Sequence, residues 1–273
     1  MISIRKSFVL ALGIGALTSA PQLQAQSFLM PGTPSRGVWM EATHTSFKVL
    51  EADLPTTVWY LAGRLPIGPR IGLVADLPFS HARVEILGAS ESSSVVGNPY
   101  LGVDFAASPR LELALGTRLP LTSADEESFA DVFAVVADPE RTEAFAEQMV
   151  PLIARATWRH HLSPAVGLRA HGGVTGFFPT ADDAGDADAA ADYGLLASYE
   201  TGPARFAAGV SGRWLATSDE GSFSDNSLHH AGISTDLAVG RVRPGLSLRV
   251  PLDSDYRRVV SSSVTLYVQV PLR

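Results

Sequence analysis

The sequence predicts an all-β fold: a transmembrane, up-and-down antiparallel β-barrel of about 12 strands, with short periplasmic turns and longer outer loops. A short turn with a proline recurs along the chain, and an alternating run that climbs to an apolar end follows each turn. The turn prolines are Pro69, Pro109, Pro164, Pro203 and Pro244. The connections at the other ends of these runs are longer and polar. This asymmetry is typical of bacterial outer-membrane barrels, which cross the bilayer with every backbone group paired.

Counting the alternating runs gives twelve strands, and an even number puts both termini on the periplasmic side. Most runs are close to the roughly 9–11 residues that a tilted spanning strand needs. The predicted strands are 37–47, 56–66, 70–79, 98–107, 110–120, 151–161, 165–178, 192–200, 204–215, 228–239, 244–251 and 259–271. The predicted outer connections are 80–97, 121–149, 179–191, 216–228 and 252–258.

Alternation along the predicted strands separates an apolar face from a polar face. In the strand 110–120, Leu111, Leu113 and Leu115 share one face and Glu112 lies on the other. A charge on the lipid face costs roughly 2–4 kcal/mol at the bilayer centre, so the apolar face must meet lipid and the polar face the lumen. A soluble β-sandwich or an enclosed soluble barrel alternates in the same way with inverted burial, and alternation alone does not distinguish these folds.

Aromatic residues near the predicted strand ends favour the membrane barrel, because girdles of aromatic side chains mark both membrane interfaces. The charges on the strand faces are also too many to decorate only a solvent-exposed surface. We expect the girdles to contain Trp39, Trp59, Tyr60, Tyr100, Phe177, Phe178, Trp214 and Tyr267.

The chain begins with the pattern of a secretory signal peptide. Arg5 and Lys6 precede the apolar stretch 8–17, Ala25 ends a suitable cleavage site, and an alternative cut lies after Ala20. No later stretch approaches the roughly 18 consecutive apolar residues of a membrane helix, which favours a bacterial outer-membrane location. We expect the N-terminal segment to thread into the lower lumen. The predicted parts are a signal peptide at 1–25, an N-terminal periplasmic segment at 26–36 and the outer-membrane barrel at 37–273.

The composition restricts the partners of the protein. Loss of Arg5 and Lys6 with the signal takes the net charge from −7 to −9, and nucleic acid binds basic rather than acidic surfaces. The chain has no cysteine, so disulfides have no part in the fold. We expect contact with outer-membrane lipid and small-molecule solutes, no nucleic acid, no cofactor and no metal, and a monomer or weak homo-oligomer.

The segment 70–121 resembles a known family. VADLPFSHARVE (74–85) leads to GNPYLGVDFA (97–106), and a tight turn and LELALGTRLPL (111–121) follow. These strings are similar to those of outer-membrane transporter-like barrels of the phenol-degradation meta-pathway or general β-barrel porin type. The resemblance implies a barrel of twelve to fourteen strands and passage of small compounds, apolar ones among them. The chain departs from the usual aromatic end of outer-membrane barrels, because it ends in Arg273.

Charged residues on the polar strand faces are the candidate site, because these faces line the predicted lumen. They are Arg118, Arg155, Arg159, Arg169, Arg213, Arg249, Asp76, Asp104, Glu112 and Asp236. By height, Arg118, Arg213 and Arg249 lie near the outer mouth, Arg155 lies deeper, and Asp76 is the nearby acid. Two interpretations stay open: a ring that selects solutes by charge, or a network of arginine–carboxylate pairs that braces or plugs the interior.

The outer connection 121–149 contains a helical pattern. Apolar residues recur there at helical spacing, namely Phe129, Val132, Phe133 and Val136. Asp138 followed by Pro139 predicts the N-cap and first residue of a second helix. The two helices either fold across the mouth of the barrel and set the width of the pore, or lie on its outer rim.

The connection 180–192 is acidic. Its carboxylates belong to Asp182, Asp183, Asp186, Asp188 and Asp192. Clustered carboxylate oxygens suit calcium, but the spacing does not match the twelve-residue calcium loop. The sequence therefore favours a solvated acidic loop.

Candidates for catalysis are weak. His44 and Ser46 are similar to the His-x-Ser arrangement of outer-membrane phospholipase barrels, but catalysis also needs a group that orients the base. The neighbours His160 and His161 point to opposite faces of a strand and make poor joint metal ligands. We therefore predict a passive channel or transporter for small molecules and no enzyme. A lipid hydrolase of the outer membrane and a filled structural barrel that binds partners through its outer loops stay open as alternatives.

Overall fold

The computed structural model describes 27–30, 35–49, 52–86, 89–122, 129–181, 187–216 and 226–272. All twelve predicted strands fall within these ranges. The signal peptide predicted at 1–25 lies outside the described residues, and so do Asp182, Asp183 and Asp186 of the acidic connection.

The described chain forms thirteen strands. They are β1 (Gly37–Val49), β2 (Ala52–Pro66), β3 (Ile71–Ile86), β4 (Ala89–Val96), β5 (Tyr100–Ala106), β6 (Leu111–Arg118), β7 (Met149–His161), β8 (Val166–Pro179), β9 (Asp188–Thr201), β10 (Ala204–Leu215), β11 (Ser227–Leu237), β12 (Arg243–Pro251) and β13 (Val260–Pro271). Twelve of them close into one antiparallel barrel, because β13 pairs with β1. This confirms the predicted up-and-down barrel of twelve strands.

The strand β4 is an addition to the barrel. It pairs with the outer part of β3, at 79–86, while β5 takes the next place in the ring by pairing with the lower part of β3. The prediction that 80–97 is a loop was therefore wrong. The polar string Ser92–Ser93–Ser94 has no apolar alternation that would predict a strand, yet its backbone pairs with β3 along one edge.

The two faces of the barrel wall differ in chemistry as predicted. Leu115 and Leu266 lie on the outer face and are 62% and 61% exposed, whereas Glu112 and Thr265 lie inside and are 3% and 1% exposed. An outer surface of leucine and valine is favourable only in contact with hydrocarbon. The wall therefore has the burial pattern of a membrane barrel and not that of a soluble sandwich.

Five of the eight aromatic residues predicted for the girdles instead point into the lumen. They are Trp39, Tyr60, Tyr100, Phe177 and Tyr267, all buried. The reason is parity, because Trp39 lies two residues from the inward Glu41 and therefore shares its face. Phe178 is exposed on the outer face, and Trp59 and Trp214 share that face because each is next to an inward residue.

Three short helical segments lie at the outer end of the barrel. They are the helix α1 (Ala130–Ala137), a 3-10 helix (Pro139–Ala144) and the helix α2 (Ser254–Val259). The predicted second helix of the connection 121–149 is thus a tighter 3-10 segment with a kink at Arg141. Of the helices in the described ranges, none is long and apolar enough to cross a membrane.

Candidate functional site in the barrel lumen

The lumen contains all ten charged residues that the sequence places there. Their strands turn them inward, where they are buried or mostly buried. They are Arg118, Arg155, Arg159, Arg169, Arg213, Arg249, Asp76, Asp104, Glu112 and Asp236. All but Arg169 contact a partner of opposite charge within the described chain.

Arg118 and Asp76 form a fully buried pair toward the outer end. Arg118 Nη1 and Nη2 donate to the two carboxylate oxygens of Asp76 at 2.7 and 3.2 Å, and both side chains are 0% exposed. Nη1 also donates to the carbonyl of Asn98 at 2.9 Å. Two parallel hydrogen bonds to one carboxylate fix the orientation of the guanidinium, so this pair connects β6 rigidly to β3.

The periplasmic end of the lumen has its own pairs. Arg64 donates from Nε and Nη2 to Asp104 at 2.7 and 2.6 Å. Asp236 accepts from Arg205 at 2.8 Å and from Arg243 at 2.5 Å. The two arginines at Asp236 are partly exposed, so this cluster lies closer to water than the outer pair of Arg118 and Asp76.

Two further ion pairs lie on the inner face of the wall and connect strands between β6 and β9. Arg155 Nη2 lies 2.8 Å from Asp192 Oδ2, across the intervening β8. Gly173 lies between them in register, and a Cβ there would come within 2.8 Å of Asp192 Oδ1, so the glycine leaves room for the pair. Arg159 lies 3.6 Å from Glu112. The acidic connection thus supplies at least one carboxylate, Asp192, to the lumen rather than to solvent.

A folded loop fills the outer part of the lumen. We call residues 129–147, which contain α1 and the 3-10 helix, the loop plug. The residues of α1 that face the wall are Ala130, Ala134 and Ala137, each 0% exposed. Such small side chains let the helix approach the inner faces of the first strands closely, where it meets Phe47, Leu54, Val58, Ala82 and Val95. The helices therefore lie across the mouth and not on the outer rim.

Ion pairs join the loop plug to the wall. They are Asp138 with Arg249 (3.1 Å), Glu143 with Arg213 (3.0 Å) and Arg141 with Glu41 (2.9 Å). Arg141 also lies over the ring of Tyr60, with its guanidinium carbon 3.5 Å from the ring centroid. Sequence reasoning identified the wall arginines but missed their partners on the plug. The available signal was the alternation of acid and base in PERTEA (139–144), close behind the apolar helical stretch.

Asp138 has a different role from the predicted N-cap. It occupies the cap position, but its carboxylate makes no cap hydrogen bond and accepts instead from Arg141 and Arg249. Burial by itself would raise the pKa of the Asp138 carboxyl, but the two guanidinium groups outweigh burial and lower the pKa to about 2. Burial also opposes ionisation of Glu140, and Arg249 at 3.5 Å is the main cause that lowers its pKa. Both carboxylates are therefore ionised at neutral pH.

The N-terminal segment fills a lower part of the lumen. We call residues 27–30 the N-terminal plug. All four residues are buried, as the expectation that the segment threads into the lumen requires. The backbone N–H of Ser27 donates to Glu41 and that of Phe28 to Glu140 at 3.2 Å. Since Glu41 also pairs with Arg141, the two plugs are connected through the same carboxylates.

Asn98 binds the backbone on both sides of the loop plug, at 121–122 and at 144–146. Its Oδ1 accepts from the backbone N–H of Leu121 and Thr122 at 2.9 Å each, and its Nδ2 donates to the carbonyl of Ala146 at 2.6 Å. Its own N–H donates to the carbonyl of Ala144 at 2.7 Å. The NPYLG string that carries the family resemblance thus begins with a residue that fastens the loop plug.

Replacing Asn98 with alanine should loosen the loop plug. The change leaves buried backbone groups without partners, which costs roughly 1–3 kcal/mol. Hydrogen–deuterium exchange of residues 130–145 should therefore become at least about tenfold faster, with little change in the strands. Ser94→Ala is the control, because Ser94 Oγ bonds the exposed His81, at 2.8 Å, away from the plug. Equal exchange in both variants would contradict the assigned role of Asn98.

The catalytic candidate His44 lies on the outer face of the barrel. Its Nδ1 lies 3.0 Å from Thr57 Oγ1, and among the described hydrogen bonds none joins His44 to Ser46. A nucleophile needs its base within hydrogen-bond reach, so this geometry gives no support to the pair as a hydrolase site.

A second polar chain lies on the outer face near the rim. His229 Nδ1 lies 2.9 Å from Asp253 Oδ1, and His229 Nε2 lies 2.7 Å from Tyr193 Oη. Despite partial burial, the hydrogen bonds from His229 lower the pKa of the Asp253 carboxyl. These hydrogen bonds connect the segment between β12 and α2 to β11 and β9. Local sequence patterns do not reveal this contact, because His229 and Asp253 are 24 residues apart.

A closed antiparallel sheet with an apolar outside and a charged inside defines an outer-membrane β-barrel, here one whose lumen is filled by its own chain. No family model matches the sequence, and no curated protein matches it. The family resemblance of 70–121 therefore has no support from sequence comparison.

Solved structures that match this fold are outer-membrane barrels. An outer membrane channel from Pseudomonas putida F1 matches with a TM-score of 0.62 and 11% identity, over 87% of this chain and 95% of that chain. The translocator domain of the autotransporter NalP from Neisseria meningitidis matches with a TM-score of 0.55 and 12% identity, over 87% and 88%. LpxR from Salmonella typhimurium matches with a TM-score of 0.50 and 8% identity, over 85% and 100%. At these identities the likeness shows the fold, which proteins of different names share.

Proposed function

We propose that this protein is a channel for the passive movement of small molecules across the bacterial outer membrane, closed by the loop plug and opened when the plug withdraws. The observation that carries the proposal is the way the plug is held. Side-chain ion pairs, hydrogen bonds and apolar packing hold it, and it is not a strand of the sheet. It can therefore leave while the backbone pairing of the barrel stays intact.

The energetics of the loop plug suit a closure that can be reversed. Buried ion pairs contribute little net stability, because the desolvation of both charges offsets most of their attraction. When the plug withdraws, water enters and solvates Asp138 and Arg249 separately. The ion pairs then favour the closed state only by the small difference between the attraction of the buried charges and the free energy of removing them from water. A single copy supplies a complete barrel and its plug, which supports a monomer as the working unit.

The wall that remains after withdrawal favours anions. Arg118, Arg213 and Arg249 lie near the mouth, and the carboxylates that neutralise the last two belong to the plug and leave with it. Rings of one sign of charge select ions of the opposite sign. The ten lumen residues would then select solutes in the open state and brace the interior in the closed state. The matching outer membrane channel from Pseudomonas putida F1 has the same fold, which is compatible with a channel.

Acid should open the channel through Asp138. In a withdrawn plug its carboxyl returns to an ordinary pKa of about 3.9, whereas in the closed state the pKa is about 2. The closed state therefore gains free energy from Asp138 above pH of about 4 and loses this gain as the pH falls toward 2, by about 2–3 kcal/mol. In planar bilayers the open probability should stay constant from pH 7 to 5 and rise by about tenfold to a hundredfold toward pH 2.

Asp138→Asn is the matched test of this pH dependence. The variant has no carboxylate at this position, so its open probability should already be raised at pH 7 and should change much less with acid. The lowered pKa of Glu140 leaves it a smaller acid response of the same sign. A wild-type channel that stays silent at every pH would favour the filled structural barrel, and a variant with an unchanged acid response would exclude Asp138 as its source.

A further inference from the structure

Arg169 differs from the other arginines of the lumen. Nine of them lie within 4.0 Å of a carboxylate oxygen. Within the described ranges Arg169 has no such partner, although it is only 6% exposed. Its guanidinium donates instead to two backbone carbonyls of the N-terminal plug, from Nη2 to Phe28 and from Nη1 to Met30 at 3.0 Å. Neutral carbonyls satisfy its hydrogen bonds but leave its charge uncompensated.

The surroundings of Arg169 increase its demand for an anion. Arg159 lies directly opposite it on β7, and the charges of Arg159, Arg205 and Arg155 all repel it. Glu140 attracts it from the loop plug. A buried cation among like charges favours a bound anion, and a guanidinium binds a carboxylate with two parallel hydrogen bonds.

The same place is shaped for an aromatic ring. The ring of Phe28 meets the ring of His171 edge to face, with centroids 4.4 Å apart, and lies 5.0 Å from the guanidinium carbon of Arg169. Leu196 and Ala207 complete the apolar contact. A Cβ at Gly194 would come within 2.9 Å of the Phe28 ring, so the ring can pack this closely against the wall only because residue 194 is glycine.

Leu29, the next residue of the N-terminal plug, also packs against a glycine of the wall. The side chain of Leu29 lies over Gly232, where a Cβ would collide with it. Ser234 Oγ donates to the carbonyl of Leu29 at 2.6 Å. The lumen thus presents a cation, a hydroxyl donor and two apolar subsites in one place, one at Gly194 and one at Gly232. Phe28 and Leu29 of the N-terminal plug occupy the two subsites without strand pairing.

We propose that this lumen site, formed by Arg169, Ser234, Gly194, Gly232 and Leu196, binds the translocated solute, and that the solute is a small aryl-substituted monocarboxylate. The N-terminal plug occupies the site as a competitor that the solute displaces. The aromatic ring of the solute binds where the Phe28 ring lies, and its carboxylate replaces the two backbone carbonyls that accept from Arg169. This inference rests on the proposed channel function, since it names the class of solute that the channel passes.

The test uses 3-phenylpropionate, which has the carbon skeleton of residue Phe28 from ring to carbonyl. Isothermal titration calorimetry of the full chain in detergent measures its affinity, beside the neutral 3-phenylpropionamide and the ringless propionate. The double variant Phe28→Gly with Leu29→Gly empties both apolar subsites and should raise the affinity for 3-phenylpropionate at least about tenfold. In this background the amide and propionate should each bind at least about tenfold more weakly.

Arg169→Gln in the same background should reduce the affinity by about tenfold or more. Arg205→Gln is the matched control, because Arg205 already has Asp236 as a partner and should change the affinity little. Arg169→Lys keeps the charge and should restore part of the binding, which separates lost charge from misfolding. Equal affinity for acid and amide, or binding unchanged by Arg169→Gln, would overturn the proposal. Conductance in simple salt is measured separately, so absent binding in a conducting barrel refutes the solute class and not the channel.

Discussion

Replacing residues 129–147 with a short glycine–serine linker should convert a closed barrel into a steadily conducting pore. The loop plug supplies the buried side chains that fill the outer part of the lumen, and the described wall strands pair with one another and not with it. A barrel of twelve strands lies between filled eight-stranded barrels and open sixteen-stranded ones. Without its plug it should hold water across the outer half. Planar-bilayer recordings should show an open probability close to one.

The same recordings should reveal the sign of the exposed charges. The deletion leaves Arg213 and Arg249 without their plug partners, so a potassium chloride gradient should give a reversal potential that reports preference for chloride. Removing residues 27–30 as well should raise the conductance further, because the N-terminal plug occupies part of the lower lumen. Retained folding is checked by the shift in gel mobility on heating. A folded variant that lacks both plugs and carries no current would show that the wall itself closes the lumen.

The barrel was predictable because its signals are local. A spanning strand must present apolar side chains to lipid at every second residue, so Leu111, Leu113 and Leu115 fix the face of their neighbours without any knowledge of the partner strands. The same parity identifies Arg118 and Asp76 as inward and places them at similar height. It also placed Trp39 and Tyr60 inside, which the girdle interpretation overlooked because it considered only distance from the strand end.

The filling of the lumen was not predictable in this way, because its partners lie far apart in sequence. Asp138 and Arg249 are 111 residues apart, and Glu143 and Arg213 are 70 apart. Helical spacing in the loop identifies α1 but does not tell which way the loop folds. The direction is decided by small residues such as Ala134, which fit against the wall, and by carboxylates that only the inner arginines neutralise. Local patterns carry neither kind of information.

Asp76→Asn should destabilise the barrel more than the removal of any exposed charge. The amide side chain has the size of the carboxylate that it replaces, but Arg118 would lose its close carboxylate partner and keep only Glu143, 4.0 Å away, at a position that is 0% exposed. Breaking one partner of a buried pair costs about 3–5 kcal/mol. The free energy of unfolding, measured by urea in phospholipid vesicles, should fall by this amount.

Asp236→Asn supplies the comparison, because its arginines at the periplasmic end are 14% and 25% exposed and can turn toward water. Its cost should be roughly 1 kcal/mol, as for pairs near solvent. The double change Asp76→Leu with Arg118→Met should recover most of the stability that Asp76→Asn loses, since an apolar pair of similar volume leaves no buried charge. A loss at Asp76 as small as the one at Asp236 would mean that water reaches Arg118 in solution. The outer half of the lumen would then be open in the resting state, and the loop plug would not close it.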